Sequence, residues 1–226
     1  MRAALSIVIP TLNAEGGLPL GLGSLMEGLN AGLIREVVVS DGGSTDATCA
    51  MAEEAGALVV KGPAGRGGQM RRGADVASGT WLLFLHADTE LSDGWSDAVQ
   101  AHINTEQRAG YFKLQFDANG LAPRLVAGWA NLRARLFGLP YGDQGLLISR
   151  KLYDEIGGYD DIALMEDVAI ARKLKRQLHP LPATAKTSAA RYQRNGWIRQ
   201  STRNLWRLMR YLAGSDPARL GRKYDQ

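Results

Sequence analysis

The stretch WLLFLHADTEL, residues 81–91, decides the fold of this chain. Its first five residues are apolar, and such a run predicts a strand buried on both faces of a parallel sheet. His86 and Asp88 follow this strand at once. In open α/β sheets, ligands bind just beyond the carboxyl ends of the strands, so a carboxylate here indicates a site. A hard acidic group in that place favours a divalent metal and a phosphate-bearing substrate.

The segments around this strand alternate between strand-like and helix-like patterns. Such alternation at this spacing predicts βαβ units, an α/β fold and a mostly parallel sheet. Helix 121–137 is predicted to be amphipathic, with Leu125, Trp129, Leu132 and Leu136 on one side. The predicted strands are 5–9, 35–40, 57–61, 81–85, 111–117 and 145–149, and the other predicted helices are 17–30, 44–56, 66–78, 93–106, 150–159 and 165–177.

Size and composition indicate an ordinary globular protein. The chain has 226 residues, of which 45% are hydrophobic and 22% charged, which suits one α/β domain with a small appendage. We expect a domain over residues 1–190 and a basic helical tail over residues 191–226. The single Cys49 excludes an internal disulfide, fits a reducing compartment and is best explained as a buried small residue. No apolar run approaches the roughly 18 residues of a membrane span, and we expect a cytoplasmic protein.

The positive charge is concentrated at the carboxyl-terminal end. Residues 171–226 hold 14 Lys or Arg and only two Asp, so they carry most of the basic charge of a chain whose net charge is +4. Residues 197–214 predict an amphipathic helix with a basic stripe, Arg199, Arg203, Arg207 and Arg210, and interfacial aromatics. Two interpretations stay open: peripheral contact with the inner face of an anionic membrane, or packing on the domain or on a second subunit in a homodimer. Nucleic acid is disfavoured because no recognition fold accompanies the charge.

Two loops before the central strand carry candidate binding groups. Asp41 ends a strand and precedes two glycines, which let a ligand approach the backbone. Residues 44–46 offer free backbone N–H groups that favour an anion. The alternative interpretation is a plain Asp-Gly-Gly turn. The loop 62–73 is rich in Gly and Arg. It matches neither the dinucleotide-binding motif Gly-x-Gly-x-x-Gly nor the P-loop motif. It suits a clamp on a diphosphate, with a solvated loop as the alternative.

A pair of carboxylates, Glu166 and Asp167, begins a later helix. Adjacent helical residues point about 100° apart, so we expect only one of the two to face the site. That residue suits a general base that deprotonates an acceptor hydroxyl. The alternative is a favourable acidic first turn.

Together these segments resemble the family 2 glycosyltransferases, which have the GT-A fold with a Rossmann-like, mostly parallel sheet. The matching segments are SIVIPTLNAEGG (6–17), VVVSDGGSTDAT (37–48), RRGADVASG (71–79), WLLFLHADT (81–89) and GGYDD…MEDVAIARKLK (157–175). The H-A-D-T version of the metal motif and the GDQG segment, residues 142–145, are similar to a small cytoplasmic subgroup that is linked to arsenosugar biosynthesis.

The resemblance implies a role for each matching residue. Asp88 is implied to touch a divalent metal, Mn²⁺ or Mg²⁺, and Asp167 to be the catalytic base with Glu166 beside it. The loop of Arg66 and Arg71 would approach the nucleotide and phosphates, and Asp143 and Gln144 the acceptor or the donor sugar. The nucleotide pocket would be formed by Pro10, Thr11, Glu15, Asp41 and Asp46.

His86 departs from the family pattern because it replaces the first acid of Asp-x-Asp. A neutral imidazole suits Mn²⁺ better than Mg²⁺. The alternatives for His86 are a contact with the ribose, a contact with the water shell of the metal, or a structural role.

The implied activity is inverting, metal-assisted transfer of a sugar from a nucleotide-diphosphate donor to an acceptor hydroxyl that the sequence does not identify. The alternatives are a nucleotidyltransferase, which would want a Lys in a Gly-rich amino-terminal loop, and a nucleotide-sugar-binding protein without catalysis.

Overall fold

A computed structural model describes residues 3–162, 164–175 and 177–215 of the chain. The described residues form an α/β fold, as predicted, in which one eight-stranded sheet has the order β3-β2-β1-β4-β7-β6-β8-β5. The strands are β1 Leu5–Thr11, β2 Ile34–Asp41, β3 Leu58–Lys61, β4 Trp81–Phe84, β5 Thr89–Leu91, β6 Ala109–Phe116, β7 Leu146–Ser149 and β8 Leu178–Thr187. The helices are α1 Leu18–Ser24, α2 Met26–Asn30, α3 Thr48–Glu54, α4 Arg66–Val76, α5 Trp95–Thr105, α6 Leu121–Phe137, α7 Arg150–Glu155, α8 Glu166–Leu174, α9 Ala190–Asn195 and α10 Trp197–Leu212, with a 3₁₀ turn at Gly142–Gln144.

The sheet is parallel in its amino-terminal half and mixed beyond it. Strands β3, β2, β1 and β4 are parallel neighbours, so the loops after β1, β2 and β4 meet at one edge. Strand β7 is antiparallel to both β4 and β6, β8 is parallel to β6, and β5 is antiparallel to β8. Strands β5 and β8 were not predicted from the sequence.

Strand β4 is buried on both faces, which confirms the prediction from its apolar run. Trp81 and Leu83 join the core cluster on one side of the sheet, and Leu82 and Phe84 join the cluster on the other side. All four are at most 8% exposed. Because alternate residues of a strand point to opposite faces, this burial requires helices on both sides of the sheet.

Some element boundaries differ from the predictions. The predicted helix 17–30 is divided at Leu25 into α1 and α2. Helix α3 begins at Thr48 rather than at residue 44, because Ser44 and Asp46 bind loop groups. The predicted tail begins where α9 does, and its residues 216–226 lie outside the described residues. In the part of the chain that the structure describes, no helix is long and apolar enough to cross a membrane.

Candidate functional site

A cleft of about 530 Å³ opens at the edge of the sheet where β1 and β4 end. Its walls come from the loops after these strands, the 3₁₀ turn, the start of α8, the end of β8, and helices α9 and α10. Six predicted site residues meet there although they are far apart in sequence: Arg66, His86, Asp88, Asp143, Glu166 and Asp167. The other cleft residues used below are Asn13, Met165, Arg191, Arg194, Asn204 and Arg207.

Asp41 organises the loop beside this cleft. It is 1% exposed, and its Oδ2 accepts hydrogen bonds of 2.8 Å from the backbone N–H groups of Gly43 and Ser44. Its Oδ1 accepts from the hydroxyls of Thr11 and Ser44 at 3.0 and 2.5 Å. Burial opposes ionisation, but these hydrogen bonds outweigh it and lower the pKa of Asp41. An ionised Asp41 therefore fixes the shape of the β2–α3 loop.

Glu15 and Asp46 join this loop to the loop that follows β1. Asp46 Oδ2 accepts from the backbone N–H of Glu15 at 3.2 Å, and Glu15 Oε2 accepts from the backbone N–H of Ala47 at 3.1 Å. Asn13 Oδ1 accepts from the backbone N–H of Thr45 at 2.9 Å, and Asn13 also lines the cleft. The predicted nucleotide-side residues thus form one bonded unit next to the cleft; Pro10, which is half-buried, precedes it.

The Gly- and Arg-rich loop is tied to the same strand ends by Gln69, which was not predicted. Gln69 Nε2 donates to the backbone oxygens of Thr11 at 2.7 Å and Ser40 at 2.9 Å. Arg66, the first residue of α4, lines the cleft. Arg71 lies exposed on α4 and is not among the cleft residues. Its neighbour Arg72 donates instead to the backbone oxygen of Asp41 at 3.1 Å.

His86 and Asp143 form a hydrogen-bonded pair across 57 residues of sequence, with 3.0 Å between Nδ1 and Oδ1. Burial lowers the pKa of His86, but the hydrogen bond to Asp143 and the charges of Asp143 and Asp88 outweigh it, so the net shift is upward. Burial raises the pKa of Asp143, but its net shift is downward because of His86, Arg66 and Arg191. Both shifts favour an imidazolium–carboxylate pair.

Gln144 does not reach the cleft, which corrects the expectation of a substrate contact. Its side chain is 0% exposed. Its Nε2 donates to the backbone oxygen of Phe112 at 3.2 Å and to Asn131 Oδ1 at 3.3 Å, and its Oε1 accepts from the backbone N–H of Tyr141. The amide is therefore used to hold the 3₁₀ turn against β6, which positions Asp143.

The carboxylates that begin α8 both line the cleft, which differs from the expectation that only one would. The preceding residue, Met165, has φ 68°, a left-handed conformation that a non-glycine residue rarely adopts. Asp167 is half-buried, and its two oxygens accept from the backbone N–H groups of Gly142 at 2.9 Å and Val168 at 2.7 Å. Burial, followed by the charge of Asp167, raises the pKa of Glu166 to about 7.

Helices α9 and α10 contribute residues that sequence reasoning missed. Arg191 and Arg194 from α9, and Asn204 and Arg207 from α10, line the cleft. Arg207 is only 7% exposed, so the predicted basic stripe on α10 does not lie on one solvent-facing side. The excess of basic residues at this end of the sequence is the available signal; it indicates a partner or packing on the domain and does not single out these four residues as part of the cleft.

Asp88 is the exposed carboxylate in the turn after β4. In the described part of the chain, no three His, Cys, Asp or Glu side chains lie together as a metal site. Mg²⁺ in phosphate-binding sites is held by one or two carboxylates, with substrate oxygens and waters as the other ligands. A divalent metal in this cleft would be held by Asp88 together with diphosphate oxygens.

Comparisons with known proteins agree with this geometry. A PGL/p-HBAD biosynthesis glycosyltransferase of Mycobacterium bovis (strain BCG / Pasteur 1173P2) is 41% identical over 93 residues, which are 38% of this chain and 36% of that protein. A protein of Rickettsia bellii (strain RML369-C) described as an uncharacterized glycosyltransferase is 28% identical over 145 residues, 62% of this chain and 47% of that protein. The aligned regions thus span less than half the length of these relatives.

Solved structures share the fold at low sequence identity. S. aureus TarS 1–349 in complex with UDP-GlcNAc has a TM-score of 0.61 and 17% identity, covering 81% of this chain and 58% of TarS 1–349. Its complex with UDP has a TM-score of 0.63 and 16% identity, covering 91% and 64%. These matches confirm the predicted GT-A fold.

The sequence profile of glycosyl transferase family 2 matches residues 6–126, more than half of the chain. Because this match contains β1 to β6 and the loops of Asp41, Arg66 and Asp88, the chain belongs to glycosyl transferase family 2.

Proposed function

We propose that this protein transfers a sugar from a nucleotide-diphosphate donor to an acceptor hydroxyl with inversion at the anomeric carbon. The observation that carries the proposal is the meeting of Asp88, Arg66 and the pair Glu166 and Asp167 in one cleft. Positive charge and a metal-binding carboxylate suit the diphosphate, and a carboxylate of the α8 pair suits deprotonation of the acceptor. Membership in a glycosyltransferase family supports the same reaction.

The donor nucleotide is proposed to bind against the bonded loops after β1 and β2. TarS, which shares the fold, binds UDP and UDP-GlcNAc. Asp41 keeps the β2–α3 loop in shape through four hydrogen bonds, and Pro10 and Thr11 end the neighbouring strand. The base is proposed to lie on this unit, and the diphosphate to extend past Asn13 towards Arg66 and Asp88.

Charge on the leaving diphosphate needs to be neutralised as the bond between the anomeric carbon and the phosphate oxygen breaks. Arg66 and Arg191 line the cleft beside His86 and Asp88, and the raised pKa of His86 favours a further positive charge. A divalent metal, Mn²⁺ or Mg²⁺, held by Asp88 and diphosphate oxygens, would supply additional neutralisation. In this arrangement His86 is a positioning group paired with Asp143 rather than a metal ligand.

Asp167 is proposed as the general base. Two backbone N–H groups orient its carboxylate, and a remaining lone pair can accept the acceptor's proton as the acceptor oxygen attacks the anomeric carbon. Glu166 is the poorer candidate because its side chain is only 2% exposed, whereas Asp167 is half-buried. The pKa of Glu166, raised to about 7, provides the test that separates the two. If Glu166 were the base, activity would rise with pH through this value, and Glu166→Gln would abolish the activity.

The finer assignments are also proposals. The hydrogen bond between His86 and Asp143 joins the H-A-D-T and GDQG segments, and it supports membership in the small subgroup that carries both. A peripheral membrane contact through residues 197–214 is supported by the outward apolar side of α10. A cytoplasmic location and homodimer formation are predictions from the sequence.

The experiment is a nucleotide-release assay on a panel of nucleotide-diphosphate sugars with Mn²⁺ or Mg²⁺. We expect at least one donor to release its nucleotide, and this release to depend on the metal. The Asp88→Ala variant should lose the metal-dependent activity. Asp93→Ala is the matched control, because Asp93 is exposed and lies outside the cleft. Absence of release with every donor, together with unchanged nucleotide binding in Asp88→Ala, would contradict the proposal.

A further inference from the structure

Helix α6 turns its large apolar side chains outward. The side that faces the protein carries small residues, with Ala127, Ala130 and Ala134 at most 7% exposed. Asn131 explains this orientation, because its side chain accepts from the backbone N–H of Leu114 at 2.8 Å and donates to the backbone oxygen of the same residue at 3.0 Å. These bonds hold α6 against β6 with its alanines on the inward side. The outward residues are Leu121, Leu125, Trp129, Leu132, Leu136 and Phe137, each 46–77% exposed.

Helix α10 has the same reversed orientation. Its inward side carries polar residues beside one buried leucine: Gln200 is 2% and Leu208 5% exposed, and Asn204 and Arg207 line the cleft. The outward side carries most of its large apolar residues. These are Ile198, Leu205, Trp206, Met209 and Leu212, each 43–82% exposed.

The two helices are neighbours. They contact each other, and Trp197 at the start of α10 packs in a cluster with Ala127 and Ala130 of α6. We call their exposed apolar side chains the two-helix surface. A set of large exposed apolar side chains on adjoining helices exceeds the scattered apolar residues of an ordinary protein surface and marks an interaction site.

The charge of these helices identifies the partner. Residues 121–137 and 197–212 contain seven arginines and neither Asp nor Glu. Arg124, Arg135 and Arg199 are exposed, and Arg203 and Arg210 are half-buried. A second copy of the same surface would bring arginines against arginines without any acid to pair with them. A bilayer with anionic lipids satisfies both the apolar side chains and the arginines, because the former enter the acyl boundary and the latter meet phosphates.

We propose that α6 and α10 together dock this protein on the surface of an anionic phospholipid bilayer, with both helices lying in the interface. Trp129 and Trp206 are suited to that interface because an indole has a large apolar ring and a polar N–H group. Helix α6 supplies the larger share of the exposed apolar side chains, so the surface extends beyond residues 197–214. The opposite side of α10 lines the cleft, and docking therefore holds the cleft beside the lipid. This last consequence, unlike docking itself, rests on the proposed function.

Vesicle co-sedimentation of the full chain tests the proposal. We compare vesicles of phosphatidylcholine alone with vesicles of mixed phosphatidylcholine and phosphatidylglycerol. The expected result is binding to the mixed vesicles that weakens with salt. The α6 variant Leu125→Gln/Trp129→Gln and the α10 variant Ile198→Gln/Met209→Gln should each weaken binding at least about tenfold, since each removes two large apolar side chains from the interface. The four sites are exposed, so circular dichroism should show an unchanged fold.

The control variant is Leu20→Gln/Leu58→Gln, which removes two exposed leucines from α1 and β3, outside the two-helix surface. It should bind vesicles as the unmodified protein does. The proposal is overturned if the mixed vesicles do not bind the protein, or if only the α10 variant weakens binding. It is equally overturned if light scattering shows a dimer that both helix variants dissociate while vesicles have no effect. Nucleotide release is measured separately, so failure of docking and failure of the proposed function are distinguishable.

Discussion

Replacing Glu166 by Gln tests whether the first carboxyl of α8 is protonated in the folded protein. Glu166 is 2% exposed, and burial, followed by the charge of Asp167, raises its pKa from 4.5 to about 7. The unfolded chain loses this proton near the lower value, whereas the folded protein keeps it until the higher one. Between these pH values the folded state binds more protons, so stability is greatest below the lower pKa and falls as pH rises through the window.

The magnitude follows from the two pKa values. A displacement from 4.5 to about 7 corresponds to about 3 kcal/mol of unfolding free energy. Gln has the same size as Glu and does not ionise, so the variant does not lose this stability as pH rises. From about pH 4.5 to about pH 8, the unmodified protein should therefore lose about 3 kcal/mol relative to Glu166→Gln. In a chain of this length that equals roughly 6–12 °C in Tm.

The assay is thermal and urea unfolding of both proteins across this pH range. Titrating groups remote from Glu166 are shared, so their contributions cancel in the difference between the two proteins. Glu54→Gln is the matched control, because it makes the same exchange at a glutamate that is exposed on α3. If the stability difference between the unmodified protein and Glu166→Gln stays constant with pH, Glu166 is ionised normally and the reasoning from burial is refuted.

Three further substitutions probe the site. Asp41→Ala should lower the free energy of unfolding by about 3 kcal/mol and weaken nucleotide binding, because it leaves two loop N–H groups without their acceptor. Urea unfolding and nucleotide titration measure the two effects, and an unchanged free energy of unfolding would contradict the prediction. Gly142→Ala places a Cβ against His86 Nε2, so nucleotide release should fall at least about tenfold with an unchanged fold, and retained activity would show that the His86–Asp143 pair is dispensable. Asp167→Asn should reduce turnover by roughly 10²–10⁴-fold while donor affinity persists, and an equal loss of donor affinity in calorimetry would argue against its role as the base.

Much of the fold could be predicted from sequence because its signals are local. The continuous apolar run of β4 indicated burial on both faces, since an alternating pattern would have appeared if one face met water. The βαβ alternation then placed Asp41 and Asp88 at one edge of the sheet. Strands β5 and β8 were missed. Strand β5 has only three residues and β8 contains two prolines, so neither has the pattern of an ordinary strand.

The sequence by itself determined which residue types stand at the strand ends and that α6 and α10 each have an apolar side. Only the tertiary structure decided which residues meet and which way each helix turns. His86 pairs with Asp143 because β7 runs antiparallel beside β4, and Gln144 is buried by its bonds to β6. The large apolar side chains of α6 face outward because the hydrogen bonds of Asn131 to Leu114 turn the other side of the helix towards β6. An amphipathic pattern shows that two sides differ, but the choice of the buried side depends on the surface that the helix packs against.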